Sequence, residues 1–198
     1  MRGMLFGYSE RFFERIRTWT LVTLALLVIA GAGPFPAAVI AVPFLVPFAF
    51  METGYLFFYT VFARRHAEYL ERAINDLLDK DVLVAHRLEA AYFYPPDAPK
   101  IAGLSRGRPF GMMSVMTIFY TGGAGLLWLA GMQGTRQLLD SGQIHQPLVE
   151  ALLLPAALVW TLAIAGHLVV SFLARRDENP LIAELDAAYG GPPAISPD

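Results

Sequence analysis

Apolar residues gather into four long stretches, at residues 17–32, 36–63, 109–132 and 147–174, separated by segments rich in charge, proline and glycine. Each stretch is long enough, or nearly so, to cross the ~30 Å of hydrocarbon in a bilayer as a helix. The first hairpin reverses tightly through Gly31-Ala32-Gly33-Pro34-Phe35-Pro36, where glycine and proline break helix. The second reverses through a longer polar loop, residues 131–146. The pattern predicts an all-α integral membrane protein of four transmembrane helices, arranged as two antiparallel hairpins. A helical extension on the cytoplasmic side lies between the second and third helices.

The charges orient this arrangement. Of the 15 lysines and arginines, Arg136 is the one between the third and fourth stretches. Arg2, Arg11, Arg15 and Arg17 lie at or before the start of the first, and eight more lie between the second and third. Arg175 and Arg176 follow the fourth. Positive charge stays on the cytoplasmic side, so both termini and the middle segment are expected there, in a plasma (inner) membrane. The expected organisation is a cytoplasmic N-terminal amphipathic segment at 1–16, a hairpin at 17–63, a cytoplasmic helical connector at 64–108, a second hairpin at 109–174 and a cytoplasmic tail at 175–198. A cleaved signal peptide is set aside because Glu10 and Glu14 precede the first apolar run, unlike a short basic leader.

Composition agrees with the pattern. The chain is 56% hydrophobic and 16% charged, against about 25% charged in soluble proteins. Mean hydropathy is +0.48. With four spans in 198 residues, no room is left for a separate soluble enzyme domain. The chain has no cysteine, which excludes disulfides, thiolate metal sites and a cysteine nucleophile.

The middle segment carries apolar positions Leu70, Ile74, Leu77, Val84 and Leu88 at alternating spacings close to a heptad, with Asp81 interrupting. This stripe is a candidate surface for an oligomer or a partner. Nothing between Tyr55 and Leu78 stops a helix, so the second span should run on into the connector. Asp79-Lys80-Asp81 is expected to end that helix. The exits Phe62-Ala63-Arg64-Arg65 and Phe172-Leu173-Ala174-Arg175-Arg176 resemble each other, as in a parallel two-fold repeat. Charge rules at any cytoplasmic exit would produce the same words.

Candidate chemistry is sparse. Glu52 lies 12 residues before Arg64, or ~18 Å of helix, which places it near mid-membrane. There an ionisable group costs at least ~2.5 kcal/mol. It either serves an ion or proton path or, protonated, ties helices together beside Pro43 and Pro47. His167 is the other ionisable group well inside a stretch, and a Glu52–His167 contact would satisfy both. Arg64, Arg65, Arg106 and Arg108 are expected against lipid headgroups or anions. Glycines of the third stretch favour close helix packing. No metal-ligand spacing, phosphate loop or nucleophile–base pattern is present, so no catalytic residues, metal or cofactor are expected. Nucleic acid is not an expected partner. The expected function is non-enzymatic, working by assembly as a homo-oligomer or accessory subunit, with an oligomeric channel or transporter using Glu52 and His167 as the alternative.

Overall fold

A computed structural model describes residues 2–85, 88, 112–144, 146–172, 176 and 178–189, with side chains for all of these except 2–6 and 112–117. Arg106 and Arg108, as well as His86 and His145, lie outside the described residues. The described residues form five α-helices and no strand: α1 (Arg2–Ala32), α2 (Val42–Leu78), α3 (Met112–Asp140), α4 (Pro147–Phe172) and α5 (Glu178–Tyr189). A 3-10 helix, Pro36–Ala41, leads directly into α2.

The reversal between α1 and α2 follows from local chemistry. The Gly33 N–H closes the last turn of α1 on the Ile29 carbonyl at 3.0 Å. A Cβ at Gly33 would sit 2.5 Å from that oxygen, so a side chain is excluded there. Pro36 then opens the 3-10 helix, where its missing N–H costs nothing. Pro43 stands in the first turn of α2 and Pro47 inside it. The Val39 carbonyl, one turn before Pro43, receives the buried Thr135 hydroxyl at 3.5 Å.

Helix α2 is the hub, touching the 3-10 helix and all four other helices. Its neighbours take up register through named contacts. α1 runs antiparallel to it: Trp19 meets Phe48, Phe12 meets Phe57 and Tyr8 stacks on Tyr59. α3 is also antiparallel, with Gly131 against Val42 and Tyr120 against Phe50. α4 is parallel to it, with Trp160 donating to the Phe44 carbonyl and Phe172 beside Phe57. The chain therefore alternates direction through the four long helices. We call the end holding Gly33 and Pro34 the turn end, and the end holding Arg64 and Arg65 the basic end.

Glycine sets how close the helices come. A Cβ at Gly131 would lie 2.5 Å from Val42 Cγ1, and one at Gly134 would lie 2.6 Å from Val39 Cγ2. Together they let α3 press onto the 3-10 helix and the start of α2, as expected of small residues in membrane helices. Gly122, Gly123 and Gly125 instead have nothing within 4 Å of a Cβ, so part of the glycine run takes no part in packing among the described residues.

The exterior is apolar. Leu21, Val28, Phe119, Leu126 and Val159 are all more than half exposed, a surface that water-soluble monomers do not present over such an area. Among the described residues, three helical runs are long and apolar enough to cross a membrane: Gly7–Ala32, Pro36–Leu78 and Pro147–Phe172. The protein is thus all-helical, with candidate membrane-spanning helices.

Two expectations change in detail. α1 runs without a break from Arg2 to Ala32, so the residues just before Arg17 continue the first apolar helix, because the charged turn from Glu10 to Arg17 contains no helix breaker. α2 does run unbroken past Arg65, and it stops at Leu78 with Asp79 in the left-handed region at φ 49°. Asn75 fixes this end, accepting from the Val82 and Leu83 N–H groups and donating to the Leu83 carbonyl. The apolar stripe is consequently cut. Leu70, Ile74 and Leu77 lie on α2, while Val84 and Leu88 follow the turn. α2 continues through its exit as one helix and carries α5 packed against it; residues 173–175 of the second exit lie outside the described residues.

Candidate functional site: polar contacts along α2

Ionisable and hydroxyl side chains on α2 reach a different neighbour at each level. Glu52 faces α1. The Trp19 indole N–H donates to Glu52 Oε2, and Arg15 Nε lies 3.4 Å from Oε1. The carboxylate therefore has a charged and a neutral donor, one turn apart on a single helix. One residue on, the buried Thr53 hydroxyl is 3.0 Å from the Tyr120 hydroxyl of α3 and donates back to the Ala49 carbonyl. The Tyr55 hydroxyl lies 2.8 Å from His167 Nε2 of α4. Gly54 between them admits Leu168 and Phe172, each within 3.3 Å of where its Cβ would stand. Four consecutive residues of α2 thus fasten three helices.

The expected Glu52–His167 contact is not made: each group has its own partner, Arg15 with Trp19 for one and Tyr55 for the other. The reason lies in helix geometry. Glu52 and Tyr55 are three residues apart and lie on neighbouring rows of α2, so one faces α1 and the other α4. The level of Glu52 also changes. From Ala32 to Arg15 is 17 residues of α1, or about 26 Å. From Pro36 to Glu52, the 3-10 helix and the first turns of α2 add up to about 27 Å. Glu52 therefore lies far from the turn end and level with the charged part of α1.

Beyond Arg64 a second cluster forms. Arg65 sends Nε and Nη2 to Glu178 Oε1, each at 3.2 Å, and Nη1 to Glu68 Oε2 at 3.2 Å. Arg72 completes the chain with Nη2 on Glu68 Oε1 at 3.2 Å, over the face of Tyr69 at 5.0 Å. The Tyr69 hydroxyl donates to Asp186 Oδ1 at 2.5 Å, and His66 Nε2 lies 2.8 Å from the Tyr189 hydroxyl. Contacts from both ends of α5 converge on Arg65 and His66, so α5 crosses α2 rather than running along it. Twelve residues in water form at best a marginal helix. Docking on α2, with Glu178 and Leu185 buried, gives α5 its stability.

The expected headgroup residues Arg64 and Arg65 are buried, Arg65 among carboxylates. The stripe is open instead: Leu77 is 86% exposed, and Ile74, Val84 and Leu88 are also exposed. Sequence reasoning had no access to Arg15, Trp19, Tyr55, Glu178 or Asp186 as partners, because each pairing joins different helices, at least 33 positions apart in the chain. Among the described residues no group of three or more His, Cys, Asp or Glu side chains is placed to hold a metal ion. Comparison with protein-family models, curated proteins and solved structures returns no match for this chain.

Proposed function

We propose that this chain is a non-catalytic integral membrane protein that works by assembly, as a homo-oligomer or as the accessory subunit of a membrane complex. In this reading all four long helices cross a plasma (inner) membrane, with the basic end, both termini and the connector cytoplasmic. Membrane lipids cover the apolar exterior. The projecting end of α2 docks the protein partner. The observation that carries the reading is the exposure of Ile74, Leu77 and Leu78. Leu77 lies 12 residues past Arg65, about 18 Å farther along the helix, where lipid does not reach. Apolar side chains held in water on a rigid helix are the usual mark of a protein contact.

The alternative, an ion or proton path through Glu52 and His167, gains less support. Arg15 neutralises Glu52 and Trp19 occupies its second oxygen, which suits a pin between helices better than a carrier that must exchange its ligand. Flux through liposomes should accordingly be unchanged by Glu52→Gln.

The absence of cysteine makes the test direct. Leu77→Cys, cross-linked in native membranes, should give a covalent dimer or a defined adduct, and Leu78→Glu in the same chain should abolish it. A strictly monomeric species with nothing attached would refute assembly. For topology, a cysteine at Ser141 should react with an impermeant thiol reagent in intact cells, and one at Lys80 should not.

A further inference from the structure

We infer that the lipid headgroup layer at the basic end meets the protein at Arg11, Arg15 and Arg17 of α1 and at the ring of aromatic residues around Tyr55–Tyr59, five to nine residues before Arg64 on α2. The headgroup phosphates of anionic lipid are then bound by Arg11 and Arg17. Both are exposed, whereas Arg64 and Arg65 are buried.

Three observations converge on this level. The first is length. Distances along the helices from the turn end to this layer are about 26 Å on α1 and about 27 Å through the 3-10 helix and α2. From Pro147 to His167 on α4, and from Asp140 to Tyr120 on α3, they are about 30 Å. All four helices thus reach this layer after a run close to the ~30 Å of a hydrocarbon core. The second is charge. Glu10, Arg11, Glu14, Arg15 and Arg17 are too dense for lipid interior, and the register of Arg15 on Glu52 and of Phe12 on Phe57 carries that boundary across to α2. The third is the aromatic ring itself. Tyr8 stacks on Tyr59 at 5.5 Å, Phe57 lies 6.1 Å from Phe172, and Tyr55 lies 6.0 Å from His167. Tyrosine collects at the membrane–water boundary, and here three helices contribute aromatic rings within about 8 Å along the helix axes.

The consequence is that Glu52, Arg15 and His167 sit at the polar boundary of the membrane, where charge is tolerated. Everything from Arg64 to Leu78 and α5 stands clear of lipid. The inference rests on the membrane placement proposed above, and one labelling series separates the two. Single cysteines at Phe48, Thr60, Ala67 and Ile74 would carry a nitroxide in reconstituted vesicles, with relaxation by oxygen and by an aqueous nickel chelate compared. Phe48 should be lipid-buried, and the change to aqueous contact should fall between it and Thr60. A change at Arg64, with Thr60 as deep as Phe48, would overturn the inference and leave the membrane reading intact. Four aqueous labels would refute the membrane reading itself.

A second arm tests the arginines. In vesicles mixing phosphatidylcholine with phosphatidylglycerol, the double variant Arg11→Gln/Arg17→Gln should reduce the enrichment of phosphatidylglycerol around the protein by about fivefold or more, the effect of a basic residue at an anionic surface. Arg136→Gln, at the turn end, should leave it unchanged. Equal enrichment in the double variant would refute the assignment. Displacement of the lipid by inorganic phosphate at matched ionic strength would show a site for a free anion instead and refute it equally.

Discussion

The two halves of α2 are held in different ways. From Val42 to Phe57 its partners are close-packed helices, joined by glycine contacts and by one or two polar links each to α1, α3 and α4. From Arg64 to Leu78 one short helix crosses it, fixed by a sealed network of arginines and carboxylates. The side chains of Arg65 and Glu178 are 6% and 4% exposed, against 52% and 30% for Arg15 and Glu52. The same pair of residue types therefore has two uses. Where other contacts already hold the helices, the pair is an adjustment. Where a 12-residue helix has little apolar area to bury, the pair is the attachment.

Breaking the sealed pair should have the largest effect. Arg65→Ala removes the guanidinium that donates twice to the buried Glu178 carboxylate, a loss of about 3–5 kcal/mol. At 1.4 kcal/mol per tenfold, amide exchange in α5 should accelerate by about two orders of magnitude or more. Exchange in α1 should not change. If α5 kept its protection, the cluster would not be what attaches it.

Packing in the other half should be next. Gly131→Leu forces a side chain onto Val42 and Pro43, and overpacking of this kind costs about 1–3 kcal/mol. Gly122→Leu, on the same helix but facing open space, should leave unfolding in detergent unaltered. Equal effects at the two positions would mean that close approach of α3 to α2 does not contribute.

The Glu52 link should be weaker again. A double-mutant cycle between Trp19→Phe and Glu52→Gln should give a coupling of about 0.6–1.7 kcal/mol, the range found for polar contacts between membrane helices. Coupling above that range would put Glu52 in the same class as Glu178 and erase the contrast between the two halves.

What the sequence made legible follows the same division. Helical content, the reversal at Gly31–Pro36, the unbroken run of α2 through Arg65 and its end before Asp79 all depend on local chemistry, and each is visible in the apolar pattern and in glycine, proline and aspartate positions. The level of Glu52 was not legible. Counting from Arg64 assumes that the membrane ends where a charged pair appears, and α2 passes that pair without any change in helical pattern. On the placement we infer, the boundary is marked on α1, in Glu10 to Arg17, and reaches α2 only through the register of Arg15 on Glu52. Likewise α5 reads as a tail, because nothing in its 12 residues announces that Glu178 will meet Arg65, 113 positions away.

The smallest expected effect concerns Tyr55 and His167, and it tests the contrast from its weak end. Their contact at 2.8 Å is exposed, and α4 is also held by Trp160 on the Phe44 carbonyl and by Leu168 and Phe172 against Gly54. Removing the hydroxyl with Tyr55→Phe keeps the ring beside His167 and deletes one hydrogen bond, so stability in detergent should fall by about 0.6 kcal/mol. Trp160→Phe should cost about the same, since its indole supplies a second donor to a carbonyl within α2. The double variant should lose the sum of the two, because the sites lie 11 residues apart on α2 and share no partner. A much larger loss would mean that α4 depends on these two links as α5 depends on Arg65, and that both halves of α2 are held by polar contacts after all.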